Sequence, residues 1–166
     1  MRARAGLARC LWEEGKREEA LRHCREMLQL NPNDNQGIRY VLMGCLLDMK
    51  LDDEASGLVG AYKDDASAHW AYSAALIEFR RAGNGKRSRK LLTAALKHNP
   101  FVPAYLLGKK KIPGRLPDTV GFGDESEAVA YAGDSMSAWR GSFGALGWMK
   151  DSTSSLGSNK PRRQLK

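Results

Sequence analysis

Two Asn-Pro pairs, Asn31-Pro32 and Asn99-Pro100, lie 68 residues apart, and each closes an amphipathic two-helix pattern. Proline disfavours helix at the residue before it and cannot donate a backbone hydrogen bond, so each pair is a helix stop. The interval is twice 34, which leaves room for one further two-helix unit between them. Units of this kind bury a continuous core only by stacking on their neighbours. The spacing therefore predicts an all-α fold of about three helix pairs.

The first unit reads as a helix over Ala5–Glu14, with Leu7, Ala8 and Leu11 on one face, broken by Gly15. A second helix follows over Arg17–Leu30, with Ala20, Cys24, Met27 and Leu28 turned inward. The third unit repeats this plan: Gly15 maps to Gly83 and Leu11 to Phe79, with helices over Ala68–Ala82 and Lys86–His98. The middle unit is weaker, with Leu42, Leu46 and Ala55 sitting 35 residues after Leu7, Leu11 and Ala20. Its second helix, over Asp52–Lys63, holds Gly57 and Gly60, each costing about 1 kcal/mol relative to alanine, so it is expected to be the least stable of the six.

The paired helices, a small residue in each, the intervening glycine and the closing Asn-Pro resemble the tetratricopeptide repeat over about residues 3–100. The resemblance implies stacked helical hairpins forming a superhelix, and a protein-interaction role. Asn31 to Arg39 is similar to the repeat junction of a bacterial tetratricopeptide family. The segment from His98 to Leu107, with Gly123 to Tyr131 and Trp139, is similar to part of the suppressor-of-tumorigenicity-seven proteins and their bacterial relatives. Such relatives imply more repeat sequence upstream, and they imply no chemistry.

Residues 1–101 are thus expected to hold three hairpins. Residues 102–150 are expected to hold a short helix at Val102–Leu107, a basic loop from Gly108 to Gly123 and one capping helix over Glu125–Met149. Asp124 is the expected N-cap, with Glu125 and Glu127 complementing the helix dipole. Residues 151–166, rich in Ser, Gly and Arg, are expected to form a disordered basic tail.

In a tetratricopeptide stack the first helix of each pair lines a groove. The resemblance places Arg9 and Trp12, Arg39 and Tyr40, and Trp70, Ser73, Arg80 and Arg81 on it, with Leu47 and Ile77 beside them. A mixed aromatic and guanidinium groove suits a peptide with aromatic or acidic side chains. Charge reversal at Arg80 and Arg81 is then expected to weaken binding without lowering the melting temperature. Gly6 and Gly44 stand where a carboxylate clamp would need polar side chains, so that activity is not carried over. Asn35 and Gln36 read as helix caps more readily than as ligands for a peptide backbone.

The net charge of +8 is unevenly distributed. Between Phe79 and Pro117 there are eleven basic residues and no acidic one, and with the four of the tail they leave −7 elsewhere, which reads as an acidic front and a basic rear. A basic patch of Lys86, Arg87, Arg89, Lys90, Lys109, Lys110 and Lys111 makes electrostatic nucleic-acid binding the alternative function. No catalytic, metal or cofactor site is expected. His23, His69 and His98 fall on separate helices, and Gly83 to Ser88 is an inter-helix turn lacking full phosphate-loop spacing. Three cysteines without a Cys-x-x-Cys pair read as small buried thiols in a reducing cytosol. No apolar run reaches the roughly 20 residues that cross a bilayer, and the basic start is no secretory signal.

Overall fold

The computed structural model describes residues 2–115, 117 and 119–158. Every regular element among them is a helix. The chain divides into two compact units, Met1–Lys63 and Asp64–Lys166.

The first unit holds α1 (Arg2–Glu13), α2 (Arg17–Leu30), α3 (Ile38–Asp48) and α4 (Asp52–Ala61). The end of α1 and the end of α3 are built alike. After α1, Gly15 at φ 79° lets its own N–H reach Trp12 C=O (3.1 Å) and that of Lys16 reach Leu11 C=O (2.8 Å). After α3, Lys50 at φ 58° does the same, with Lys50 to Leu47 at 3.2 Å and Leu51 to Leu46 at 2.9 Å. This left-handed closure ties off the last helical carbonyls. The 35-residue offset read from Leu11 and Leu46 is thus a repeat of backbone geometry, even though lysine occupies the second turn. Ala8, Ala20 and Ala55 are buried where small side chains let helices approach, beside Leu21, Met43 and Leu46.

The second unit holds α5 (Ala68–Ala82), α6 (Lys86–His98), α7 (Val102–Leu106), α8 (Glu125–Arg140) and α9 (Ala145–Ser158). Ser67 caps α5 by accepting from Trp70 N–H at 3.3 Å, and Gly83 ends it at φ 63°. Asp124 caps α8 as expected, accepting from Glu127 N–H at 3.1 Å.

Three sequence expectations change here. The single capping helix is a hairpin, because Gly141 and Gly144 (φ 78°) with Ser142 between them turn the chain between α8 and α9. The predicted disordered tail begins inside α9, which runs to Ser158; Trp148 and Met149 anchor its first turns in the core, and residues 159–166 lie outside the described part. The compact units part between the second and third hairpins and not after residue 101, since α8 and α9 pack on α5, α6 and α7.

Aromatic side chains form the core of this second unit. Trp139 Nε1 donates to Tyr131 Oη at 2.8 Å, and Tyr131 meets the His69 ring edge-on at 5.0 Å. Phe79 stacks on Trp148 at 4.4 Å, and Trp148 Nε1 reaches Asn84 Oδ1 at 3.1 Å, tying α9 to the turn between α5 and α6. Burying such rings supplies about 2–3 kcal/mol each. The charge division also differs from the expected acidic front. Residues 1–63 carry ten basic and ten acidic side chains, so the whole net charge belongs to the second unit.

Candidate interaction cleft

Within the first unit, α1 and α3 are the leading helices of consecutive hairpins, and a cleft of about 280 Å³ opens between them. Its walls are Ala5, Gly6, Ala8 and Arg9 from α1 and Ile38 and Val41 from α3. Cys24 and Met27 of α2 also line it, and Gln36 stands at the mouth. The space exists because α1 presents small residues. A Cβ built on Gly6 would meet nothing within 4 Å.

The start of α3 is held firmly. Asp34, 4% exposed, accepts from Ile38 N–H (2.7 Å) and Arg39 N–H (3.0 Å), and its carboxylate pairs with Arg39 Nη1 at 2.9 Å. Asp34 thus satisfies the first two N–H groups of α3, whose N-cap is Gly37 and not Asn35 or Gln36. Gly37 follows at φ 70°, in the left-handed region that favours glycine.

Of the expected groove residues, Arg9 is exposed and lines the cleft. Trp12 is half-buried under the Arg17 guanidinium, 5.3 Å from its ring. Arg39 and Tyr40 are half-buried and make contacts within the first unit. The Arg39 guanidinium lies 4.4 Å over the Tyr40 ring and 5.4 Å from that of Tyr62, and its Nη2 donates to Tyr40 Oη at 2.8 Å. Tyr62 Oη in turn donates to Pro32 C=O at 3.0 Å.

In the second unit the expected groove face of α5 is largely covered. Trp70 is 4% exposed, and Ser73 is fully buried. Leu47 in the first unit and Ile77 in the second are core residues as well. Arg80 Nε donates to Ser142 Oγ at 2.6 Å and its Nη2 to Ala138 C=O at 3.0 Å, so it clamps the α8–α9 turn. Arg81 is exposed. The local pattern of α5 could not reveal that a later hairpin would cover it.

The basic patch is divided. Lys86, Arg89, Lys90, Lys109 and Lys111 are exposed. Arg87 lies 3.4 Å from Glu78. Lys110 is ion-paired with Glu125, and that hydrogen bond raises the lysine pKa and lowers the glutamate pKa. Gly83 to Gly85 form the turn into α6, and the Ser88 hydroxyl of its first turn donates back to Gly83 C=O at 2.7 Å, with Gly85 C=O also within reach at 3.0 Å.

The histidines are engaged separately. His23 Nδ1 accepts from Arg4 Nε at 3.1 Å, His69 lies 3.5 Å from Asp134, and His98 lies 3.3 Å from Glu127. Cys24 and Cys45 are buried, and desolvation pushes their thiols up to about 11 and about 12, respectively. Cys10 is exposed, contrary to the expectation that all three are buried, because its position on α1 points away from the face carrying Ala8 and Leu11.

Sequence reasoning missed Val41 and Ile38 as cleft walls and read Gly6 only as the lack of a clamp side chain, not as the opening of a cleft. The signal available was the run of small residues Ala5, Gly6 and Ala8 on one helix.

A tetratricopeptide-repeat family profile matches residues 11–78. Suppressor of tumorigenicity 7 protein from Macaca fascicularis is 29% identical over 161 aligned residues, covering 84% of this chain and 30% of the relative. Those from Rattus norvegicus and Mus musculus are 29% identical and are covered to 27%. The chain thus spans less than a third of the length of these curated relatives. No solved structure matches it significantly. Among the described residues no helix is long and apolar enough to cross a membrane, and no group of three or more His, Cys, Asp or Glu residues could hold a metal ion. Helical hairpins with matching closures, together with the profile match over residues 11–78, make this chain similar to tetratricopeptide-repeat proteins.

Proposed function

We propose that this chain is a non-enzymatic protein-interaction module whose α1–α3 cleft takes an apolar side chain of a partner segment. The observation that carries the reading is the open space at Gly6 between the leading helices of two consecutive hairpins. An apolar floor of Ala8, Met27, Ile38 and Val41 supplies affinity by burial. Arg9 at the rim suits a carboxylate on the same partner, and the Gln36 amide suits a backbone group. The partner segment is therefore an apolar anchor with an acidic neighbour. A cytosolic setting accords with the unbridged cysteines.

Gly6→Trp fills the cleft from a helix position where the larger side chain has room. Capture of partners from lysate by the intact chain and by Gly6→Trp, at equal melting temperature, tests the reading. Loss of discrete protein bands with Gly6→Trp supports it, and identical capture by both overturns it.

A further inference from the structure

The outward face of α6 is strongly basic. With 3.6 residues per turn, Lys86, Lys90 and Lys97 fall in one strip with Arg89 beside it, and Ser88, Leu92, Ala95 and Leu96 are buried on the opposite side. All four cations are exposed. The strip is about 16 Å long at 1.5 Å rise per residue. No acidic residue occurs from Phe79 to Pro117, and Glu78 pairs with Arg87, which lies outside the strip.

The arrangement is locally unfavourable. The first turn of α6 holds no acidic residue and carries its cations at the positive end of the helix dipole, which disfavours them. A face that served only solubility would mix signs. Near Lys97 in sequence, Leu96, Pro100, Pro103 and Ala104 line an apolar cleft of about 380 Å³ together with Lys109 and Thr153.

We infer that this face binds single-stranded nucleic acid, with phosphates along Lys86, Lys90, Lys97 and Lys109 and a base against the Pro100–Pro103 cleft. Lysine and arginine offer donors and no acceptor, so the strip matches a backbone that presents acceptors at every unit. A peptide also brings N–H groups, which the strip leaves unmet. A duplex hides its base faces, whereas an unpaired strand can lay one on an apolar surface. A second copy is disfavoured because its second unit carries the same positive excess.

The test uses the full chain and a labelled 12-nucleotide oligouridylate, with anisotropy followed from 50 to 300 mM KCl. Four phosphate contacts give a slope of log Kobs against log[salt] of about −2.8. Lys86→Glu, Lys90→Glu and Lys97→Glu together should weaken binding on the order of a hundredfold. Lys86→Glu puts an acidic group at the helix start, where the α6 dipole favours it, and Lys97→Glu puts one in the last turn, where it does not; circular dichroism checks that the helix is retained. The milder triple glutamine variant should flatten the slope by about 2. Gly6→Trp should bind the oligonucleotide unchanged, which separates this surface from the α1–α3 cleft. No binding at 50 mM KCl, or equal binding by both triple variants, overturns the inference. Displacement of the oligonucleotide by a 12-residue polyglutamate at equal charge also overturns it, in favour of an acidic protein partner.

Discussion

Asn99 Nδ2 donates to Glu127 Oε2 at 2.9 Å across 28 residues of sequence, in the interior of the second unit. Around this contact the carboxylate also accepts from Ala68 N–H at the start of α5 (2.8 Å) and from Gly123 N–H before α8 (2.8 Å). Asn99 Nδ2 reaches Asp124 C=O at 2.8 Å, and Asn99 C=O accepts from Tyr72 Oη at 2.6 Å. One buried side chain from each of two segments thus joins the beginning of α5, the end of α6 and the beginning of α8. Glu127, in the first turn of α8 as expected, is 3% exposed and so is also a buried acceptor.

The matching asparagine of the first unit has no such setting. Asn31 is half-buried, its N–H bonded to Met27 C=O (3.0 Å) and its C=O accepting from Asp34 N–H (2.9 Å). Asn99→Ala should therefore cost about 2–3 kcal/mol and Asn31→Ala less than about 1 kcal/mol, because only the first strands buried polar groups. Urea unfolding followed by far-ultraviolet circular dichroism compares them, and equal costs would refute the assignment.

Arg80 bonds to the α8–α9 turn, so its loss should lower stability. Arg80→Ala leaves Ala138 C=O and Ser142 Oγ without their charged donor, and should destabilise the second unit by about 2 kcal/mol. A fall in melting temperature is the expected readout, in place of the unchanged value anticipated from sequence. Phe143, at the tip of the same turn and 103% exposed, should tolerate Phe143→Ala with no loss.

Acid should loosen the start of α8. The Ser126 hydroxyl and the Glu127 N–H hold the Asp124 carboxyl below its usual 3.8, and the Lys110 and Tyr105 side chains hold that of Glu125 below 4.5. Groups with lowered folded pKa values contribute fully above their unfolded values, and that contribution is lost as pH falls through the folded ones. Melting temperature should thus fall more steeply with acidification below about pH 5 in the intact chain than in Glu125→Gln.

Thiol chemistry should distinguish the cysteines. Cys10 is exposed, and burial raises the thiols of Cys24 and Cys45 to about 11 and about 12. A disulfide reagent at neutral pH should modify one thiol in the native chain and three in denaturant, with mass spectrometry placing the first at Cys10.

The glycines of α4 leave stability to be gained. A Cβ on Gly57 or Gly60 would meet nothing within 4 Å, so alanine at each should stabilise α4 by about 1 kcal/mol. Slower amide exchange in α4 is the measurement that checks this.

Local chemistry was enough to place most helices. The exact ranges of α2, α5 and α6 were legible because Gly15, Gly83 and the two Asn-Pro pairs are stop signals that act within a few residues. The Asp124 cap was legible for the same reason. Tertiary structure decided what those elements face. Trp70, Ser73 and Arg80 have the spacing of groove residues, yet Trp70 and Ser73 are buried and Arg80 holds the α8–α9 turn, a hairpin more than 40 residues downstream. Asn31 and Asn99 share one motif but not one environment. Periodicity fixes the face of a helix on which a side chain sits; only the packing of distant segments determines whether that face meets solvent, a partner or the protein's own core.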